Sequence, residues 1–349
     1  MNNYDINIKR NTQADLVRVV AMFFVICIHN HIAFSDDRVV EMIKNTILYT
    51  CNGMFYMLSG RFNLKFSVGE NEKKSYVDYY FKKFVNIIIP YILYTIIYYL
   101  YSIRNTYTEM NIKGNIWGYV EAFVQKNISI YFWFMFPLIG MLVSAPFLAR
   151  LVQKLSDYEL KLFLLVGIIW EFVTVIVIQD CFKLQNYYSG WILGSWVFYF
   201  VLGYGCDRLI KKENQKFFVV LGMVCGVLTI LQGVFLPDRA HNLYDLSPIY
   251  TFVTIGMYIF LDRYCVIRNE KIGRAISVLS KHSFSIYLIH VPILDFVCDE
   301  LFKAKGWISW CAQVVLVILI ACIFTAAFDF LITNRIKRLI KKWGNKIFR

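Results

Sequence analysis

The sequence predicts an all-α polytopic membrane protein with about ten transmembrane helices and both termini in the cytoplasm. Three observations predict it. The 349 residues are 58% hydrophobic and only 17% charged, against roughly 25% charged in a soluble domain. Polar residues fall in short bursts between apolar runs of about 17 to 25 residues, the length a helix needs to cross a bilayer. Lysine and arginine also segregate: with the N-terminus inside, 27 of the 37 lie on inner segments, as the positive-inside rule requires.

Taken in order, the first span covers about 15–34 and opens "DLVRVVAMFFVICIH". It is too long, and lacks the small-residue cleavage site, to be a removable signal peptide. The second covers about 43–60. The connection 61–83 is the longest internal one, carries Arg61, Lys82 and Lys83, and leads into a third span at about 84–103. The longest external segment, 104–128, has room for a short amphipathic helix. A fourth span at about 129–149 is rich in Phe and holds Trp133; a fifth at about 160–179 holds Glu171 beside Trp170. Spans six to eight lie at about 190–207, 217–236 and 247–261, some with the Gly and Pro that membrane helices tolerate. The ninth, about 274–297, carries His290, and the tenth, about 307–334, carries Asp329. The tail 335–349 is basic and suits anionic headgroups. The whole chain, 1–349, thus reads as one membrane domain with a helical core over 10–334.

Charge and cysteine usage exclude several classes. The net charge of +13 is the positive-inside bias and needs no nucleic-acid partner. The nine cysteines are odd in number and form no CxxC, so free thiols acting as small hydrophobes are expected. No metal-ligand spacing occurs, and no metal is expected. His241, in "PDRAHNLYD", and His282 read as loop residues.

The first span poses the chemical question, because it holds both Arg18 and His29. Eleven residues at about 100° each return to within about 20° of the same face. Asp15 lies three positions before Arg18, in reach of an i,i+3 pair. Arg18 and His29 are about 16 Å apart along the axis. The expected orientation puts Arg18 near the inner surface and His29 beyond the midplane. Two readings fit: a snorkelling arginine with a packing histidine, or the wall of a cavity or pathway, where intramembrane ionisable groups usually face. Glu171 and Asp329 each cost ~2.5–3.5 kcal/mol at a helix centre if unpaired, so both are expected to face protein or water.

Asp15, Arg18 and His29 together resemble the N-terminal signature of the acyltransferase-3 family, an Arg, ten residues and a His, with an Asp three positions before the Arg. Further motifs follow in order: "GMFYMLSGRFNLKF" (53–66), "YYFKKFVNIIIPYIL" (79–93), "YFWFMFPLIGMLVSAPFL" (131–148) and "LSKHSFSIYLIHVPIL" (279–294). Two departures stand out. Tyr131 occupies a position that is usually His, and Lys83 and Asn86 stand where arginines are usual. Lysine offers a point charge in place of the planar fork that grips phosphate.

The resemblance implies a plasma-membrane O-acyltransferase that moves an acyl group, most often acetyl, from cytoplasmic acyl-coenzyme A to a hydroxyl of a carbohydrate. On that reading Arg18, Arg61, Lys82 and Lys83 meet the anionic donor, acetyl-CoA, at the inner surface. Arg18 and His29 form the catalytic wall, with His29 as general base or as acyl carrier. Glu171, which no motif of the family requires, is expected with His290 and Trp133 on the acceptor side or at a polar cavity. Gly60 beside Ser59 reads as a close-packing position. The expected partners are membrane lipids and a lipid-linked or exported glycan. The other reading is a transporter or exporter of the same fold, which needs no coenzyme A.

Overall fold

The computed structural model describes residues 11–30, 35–103, 112–125, 128–184, 195–236, 243–301 and 306–347. Among them there is no strand; every regular element is helical. In chain order the α-helices are α1 (Thr12–His29), α2 (Arg38–Leu48), α3 (Thr50–Asn63), α4 (Glu72–Lys83), α5 (Ile89–Ser102), α6 (Ile112–Val124) and α7 (Met135–Lys154). They continue with α8 (Asp157–Glu171), α9 (Trp196–Leu209), α10 (Gln215–Phe235), α11 (Pro248–Ile259), α12 (Glu270–Phe296), α13 (Trp307–Phe328) and α14 (Asn334–Ile347).

Side-chain caps set many of the starts. Asn11, Asp37, Asn71 and Asn269 accept from the first backbone N–H groups of α1, α2, α4 and α12, which have no partner inside the helix. Ser156 and Glu159 form a reciprocal capping box on α8. Between α4 and α5 the helix widens to a π-turn over Phe84–Ile88, just before Pro90. Proline lacks an N–H and crowds the preceding turn, and a π-turn accommodates that defect without ending the helix.

Six helical segments are long and apolar enough to cross a membrane: Thr12–His29, Glu72–Ser102, Ile130–Lys154, Asp157–Cys181, Lys212–Phe235 and Trp307–Gly344. The chain is a multi-pass membrane protein. Its outward faces agree: α10 exposes Phe217, Met223 and Val227, and α13 exposes Val315, Leu319 and Ile323, surfaces suited to lipid tails. The other four expected spans are helical, yet each is short, interrupted or polar. The second breaks at Tyr49 into α2 and α3. Residues 31–34 and 190–194 of the first and sixth lie outside the described residues. The expected internal connection 61–83 is half helix, since α4 runs unbroken into the third span. The expected tail 335–349 is helical through Ile347.

The core is a bundle around α1, α3, α9 and α12. Glycine permits its closest approach: a Cβ at Gly60 would overlap the Phe200 carbonyl of α9, and one at Gly203 would overlap the Met57 carbonyl of α3. The packing role expected of Gly60 is the one it fills. All nine cysteines are free thiols.

Candidate functional site

Two polar contacts fix how α1 lies on α12. At one end the Asp15 carboxylate accepts from Ser280 (2.7 Å) and Ser277 (3.1 Å), while Arg18 donates to Asp15 (3.0 Å) and to Ser280 (2.9 Å). At the other end His29 meets His290. Both helices advance together from the first contact to the second, so they run parallel in a register set by polar pairs. Arg18 and His29 share the face that packs on α12 and are not turned into lipid. Arg18 stays about one-third exposed, with Asp15 buried beneath it.

His29 is the last residue of α1, and Asn30 ties that end down. The Asn30 amide donates to Gln313 of α13 (3.1 Å), and Trp310 donates to the Asn30 carbonyl (3.4 Å). The His29 Nδ1 lies 2.6 Å from His290 Nε2, with the rings stacked at 4.9 Å. His290 Nδ1 in turn lies 2.6 Å from the Tyr287 carbonyl oxygen. A carbonyl only accepts, so Nδ1 of His290 carries the proton. In the neutral ring its Nε2 is then an acceptor, and His29 must donate from Nδ1. The His29 lone pair is left on Nε2. Two hydrogen bonds thus set the tautomer of a half-buried imidazole.

His29 lines a cavity of about 370 Å³ with Val25, Ile28, Tyr49, Cys51, Asn52, Phe55, Tyr131, Trp133, Phe134, Asp245 and Tyr287 among its walls. The lining is mainly apolar and aromatic, with a few convergent polar groups, the usual make-up of a small-ligand site. Tyr131 presents its ring edge-on to His29 at 4.6 Å, so the residue that departs from the usual His forms part of the pocket wall. Trp133, about 38% exposed, packs on Trp196.

The predicted site residues separate into two groups. His29 and Trp133 line the cavity, and His290 stands directly behind His29. Arg18 does not line it. Ala21 and Met22, on the same helix between Arg18 and Val25, are buried. Arg61, expected at the anionic donor, has partners of its own in the bundle. Its guanidinium is buried and already bonded to Asp262 (2.7 Å), Asp207 (3.1 Å) and the Tyr258 hydroxyl (3.2 Å). Lys82 and Lys83 close the last turn of α4, with the Lys83 ammonium 5.1 Å from the Tyr79 ring.

Glu171, expected on the acceptor side or at a polar cavity, is 1% exposed and is not among the walls of this cavity. Thr251 donates to it (3.0 Å) and lies 3.0 Å from the Tyr199 hydroxyl, which donates to the Asp245 carbonyl at 2.6 Å. Glu171 therefore stands behind the cavity wall. Asp329 accepts from Tyr94 (3.1 Å) and Ser285 (2.7 Å), as a carboxylate inside a span must. His282 is not a loop residue but sits on α12, 3.7 Å from Asp329. His241 lies outside the described residues.

Asn52 and Asp245 are cavity residues that sequence reasoning passed over. The loop "PDRAHNLYD" ends in Asp245, but nothing in its spacing distinguishes that carboxylate from Asp238 in the same loop.

A family model described as "Acyltransferase domain" matches residues 11–328. Two curated relatives from Staphylococcus epidermidis, one of them from strain RP62A, are each 24% identical over 71% of this chain and 70% of their own length. Both are called "Probable poly-beta-1,6-N-acetyl-D-glucosamine export protein". No solved structure matches.

Proposed function

Because the chain belongs to the acyltransferase-3 family, matched over nearly its whole length, we propose that it is a plasma-membrane O-acyltransferase with both termini cytoplasmic. Acetyl-CoA is the donor, and a hydroxyl of a lipid-linked or exported carbohydrate is the acceptor. The observation that carries this reading is the His29–His290 pair at the wall of an aromatic-lined cavity.

In the proposed step, His29 Nε2 takes the proton of the acceptor hydroxyl as its oxygen attacks the thioester carbonyl carbon. The carbon–sulfur bond breaks, and the imidazolium returns the proton to the departing coenzyme A thiolate. General base catalysis of this kind contributes ~100- to 10,000-fold. His290 holds His29 in the tautomer that leaves Nε2 basic. Arg18, supported by Asp15, and the Lys82–Lys83 pair supply cations for the anionic donor.

The test is mass spectrometry of envelope glycans from cells with the wild-type protein, without it, and with His29→Ala. The expected result is an acetyl increment present only with wild-type protein, together with acetyl-CoA turnover by the purified chain that His29→Ala lowers at least about 100-fold. The name of the staphylococcal relatives favours a second reading, export of a glucosamine polymer. Unchanged glycan acetylation with lost surface polymer would select it.

A further inference from the structure

To the cavity that His29 lines, the segment preceding α11 contributes one residue with an unusual environment. Asp245 adopts a left-handed backbone, with φ of 54°, a conformation Asp tolerates better than most residues yet one that needs support from its surroundings. The support is visible. The Tyr199 hydroxyl, itself fully buried, donates to the Asp245 carbonyl at 2.6 Å. The Asn52 amide donates to Asp245 Oδ1 at 2.9 Å. Among the described residues no cation pairs with this carboxylate, and Oδ2 has no hydrogen-bond partner.

A held carboxylate oxygen without a donor is costly in a largely apolar pocket. Burial pushes the carboxyl up to about 6, although the Asn52 hydrogen bond opposes the shift. The pocket that Asp245 lines gives a ligand donor access to this oxygen. Flat rings stand around it. Tyr49 lines the same cavity and is braced from behind by Tyr244, stacked at 4.6 Å and 2°. Trp133 lines it too, packed on Trp196. Rigid aromatic faces beside a carboxylate–amide pair match a pyranose, which offers apolar C–H faces and hydroxyls at its rim.

We propose that Asp245, held by Asn52 and Tyr199, is the acceptor-binding subsite of the cavity, and that it accepts a hydrogen bond from a saccharide hydroxyl while Tyr49 and Trp133 cover the ring. This rests on the carbohydrate-acceptor reading above and adds the residues that bind the acceptor. Asn52 and Tyr199 are positioning residues; Asp245 touches the sugar.

The experiment is saccharide binding to the purified full-length protein in detergent, read by tryptophan fluorescence. The probe is a β-1,6-linked N-acetylglucosamine oligosaccharide, with a glucose oligosaccharide for comparison. Wild-type protein is expected to bind the probe and not the glucose oligosaccharide. Asp245→Asn is expected to bind it about 10- to 100-fold more weakly, the usual worth of a hydrogen bond to a charged group. Asn52→Ala is expected to show a smaller loss in the same direction. Equal binding by wild type and a well-folded Asp245→Asn overturns the subsite and leaves the acyltransferase reading standing. Failure of the wild-type chain to bind either saccharide overturns the subsite and the carbohydrate-acceptor reading together.

Discussion

At His29, the proposed general base, the position of a single proton decides what the ring can do. An imidazole can serve as a base only from a nitrogen whose lone pair faces the substrate, and the other nitrogen must be held as a donor. His290 does this by accepting from His29 Nδ1 while giving its own Nδ1 proton to the Tyr287 carbonyl. A side chain that keeps the acceptor should keep the tautomer. His290→Gln is expected to retain kcat within about tenfold, whereas His290→Leu falls at least about 100-fold with little change in KM. Steady-state kinetics with acetyl-CoA separates the two. Asp245 gives a pH signature in stability. Below about pH 4 its carboxyl is protonated in folded and unfolded chains alike, and contributes no difference. With the folded group raised to about 6 by burial, ionisation costs the folded state roughly 2–3 kcal/mol above that pH, less whatever water in the cavity screens. Asp245→Asn should therefore leave Tm unchanged at pH 4 and raise it progressively between pH 4 and 6. The neighbouring Tyr49, Cys51, Tyr199 and Tyr250 are neutral throughout that range. The two proteins differ only at this side chain, so the difference in Tm isolates Asp245.

Helix packing explains why α3 and α9 approach so closely. Gly60 and Gly203 each face a carbonyl of the partner helix, and neither backbone can move without disturbing Tyr56 or Tyr199, both fully buried beside the cavity. Gly203→Leu is expected to cost at least ~1–3 kcal/mol through overpacking. Gly140 on α7 has nothing near its Cβ position, so Gly140→Ala should be neutral or stabilising by up to ~1 kcal/mol. Thermal unfolding in detergent reads both. The same scale shows why α2 and α3 are separate helices within one apolar run. Tyr49 sits at the joint, its ring stacked on Tyr244, and the break sets that ring in the cavity wall.

Across the whole molecule, charge is used for assembly as well as orientation. Arg61 joins α3 to Asp207 of α9 and to Tyr258 and Asp262 of α11 and the turn after it. Arg263 pairs with both carboxylates as well. Removing the central cation leaves Asp262 to Arg263, and Asp207 to Arg263 and Lys65, so Arg61→Leu is expected to lower stability by ~1–3 kcal/mol. Replacing Lys82 and Lys83 by Ala should instead raise the KM for acetyl-CoA with little change in Tm. Measuring both quantities on both variants distinguishes an assembling charge from a donor-binding one. The apolar outer faces of α10 and α13 surround this polar interior, so the charges hold the bundle together where lipid cannot.

The sequence by itself determined the helical class, the multi-pass character, the family and the shared face of Arg18 and His29. Each follows from local periodicity, composition or the order of motifs, which need no knowledge of which helices touch. Tertiary structure alone decided the partners: His290 behind His29, two carboxylates on Arg61, Thr251 on Glu171, and Asp245 brought from a loop to the cavity wall beside Asn52. Those pairs are separated by 80 to 261 residues. Periodicity fixes the face of a helix that a side chain occupies, but only packing decides what stands opposite. For that reason the carboxylates that meet Arg61 were not legible in the sequence, and Asp245 looked like any other loop carboxylate.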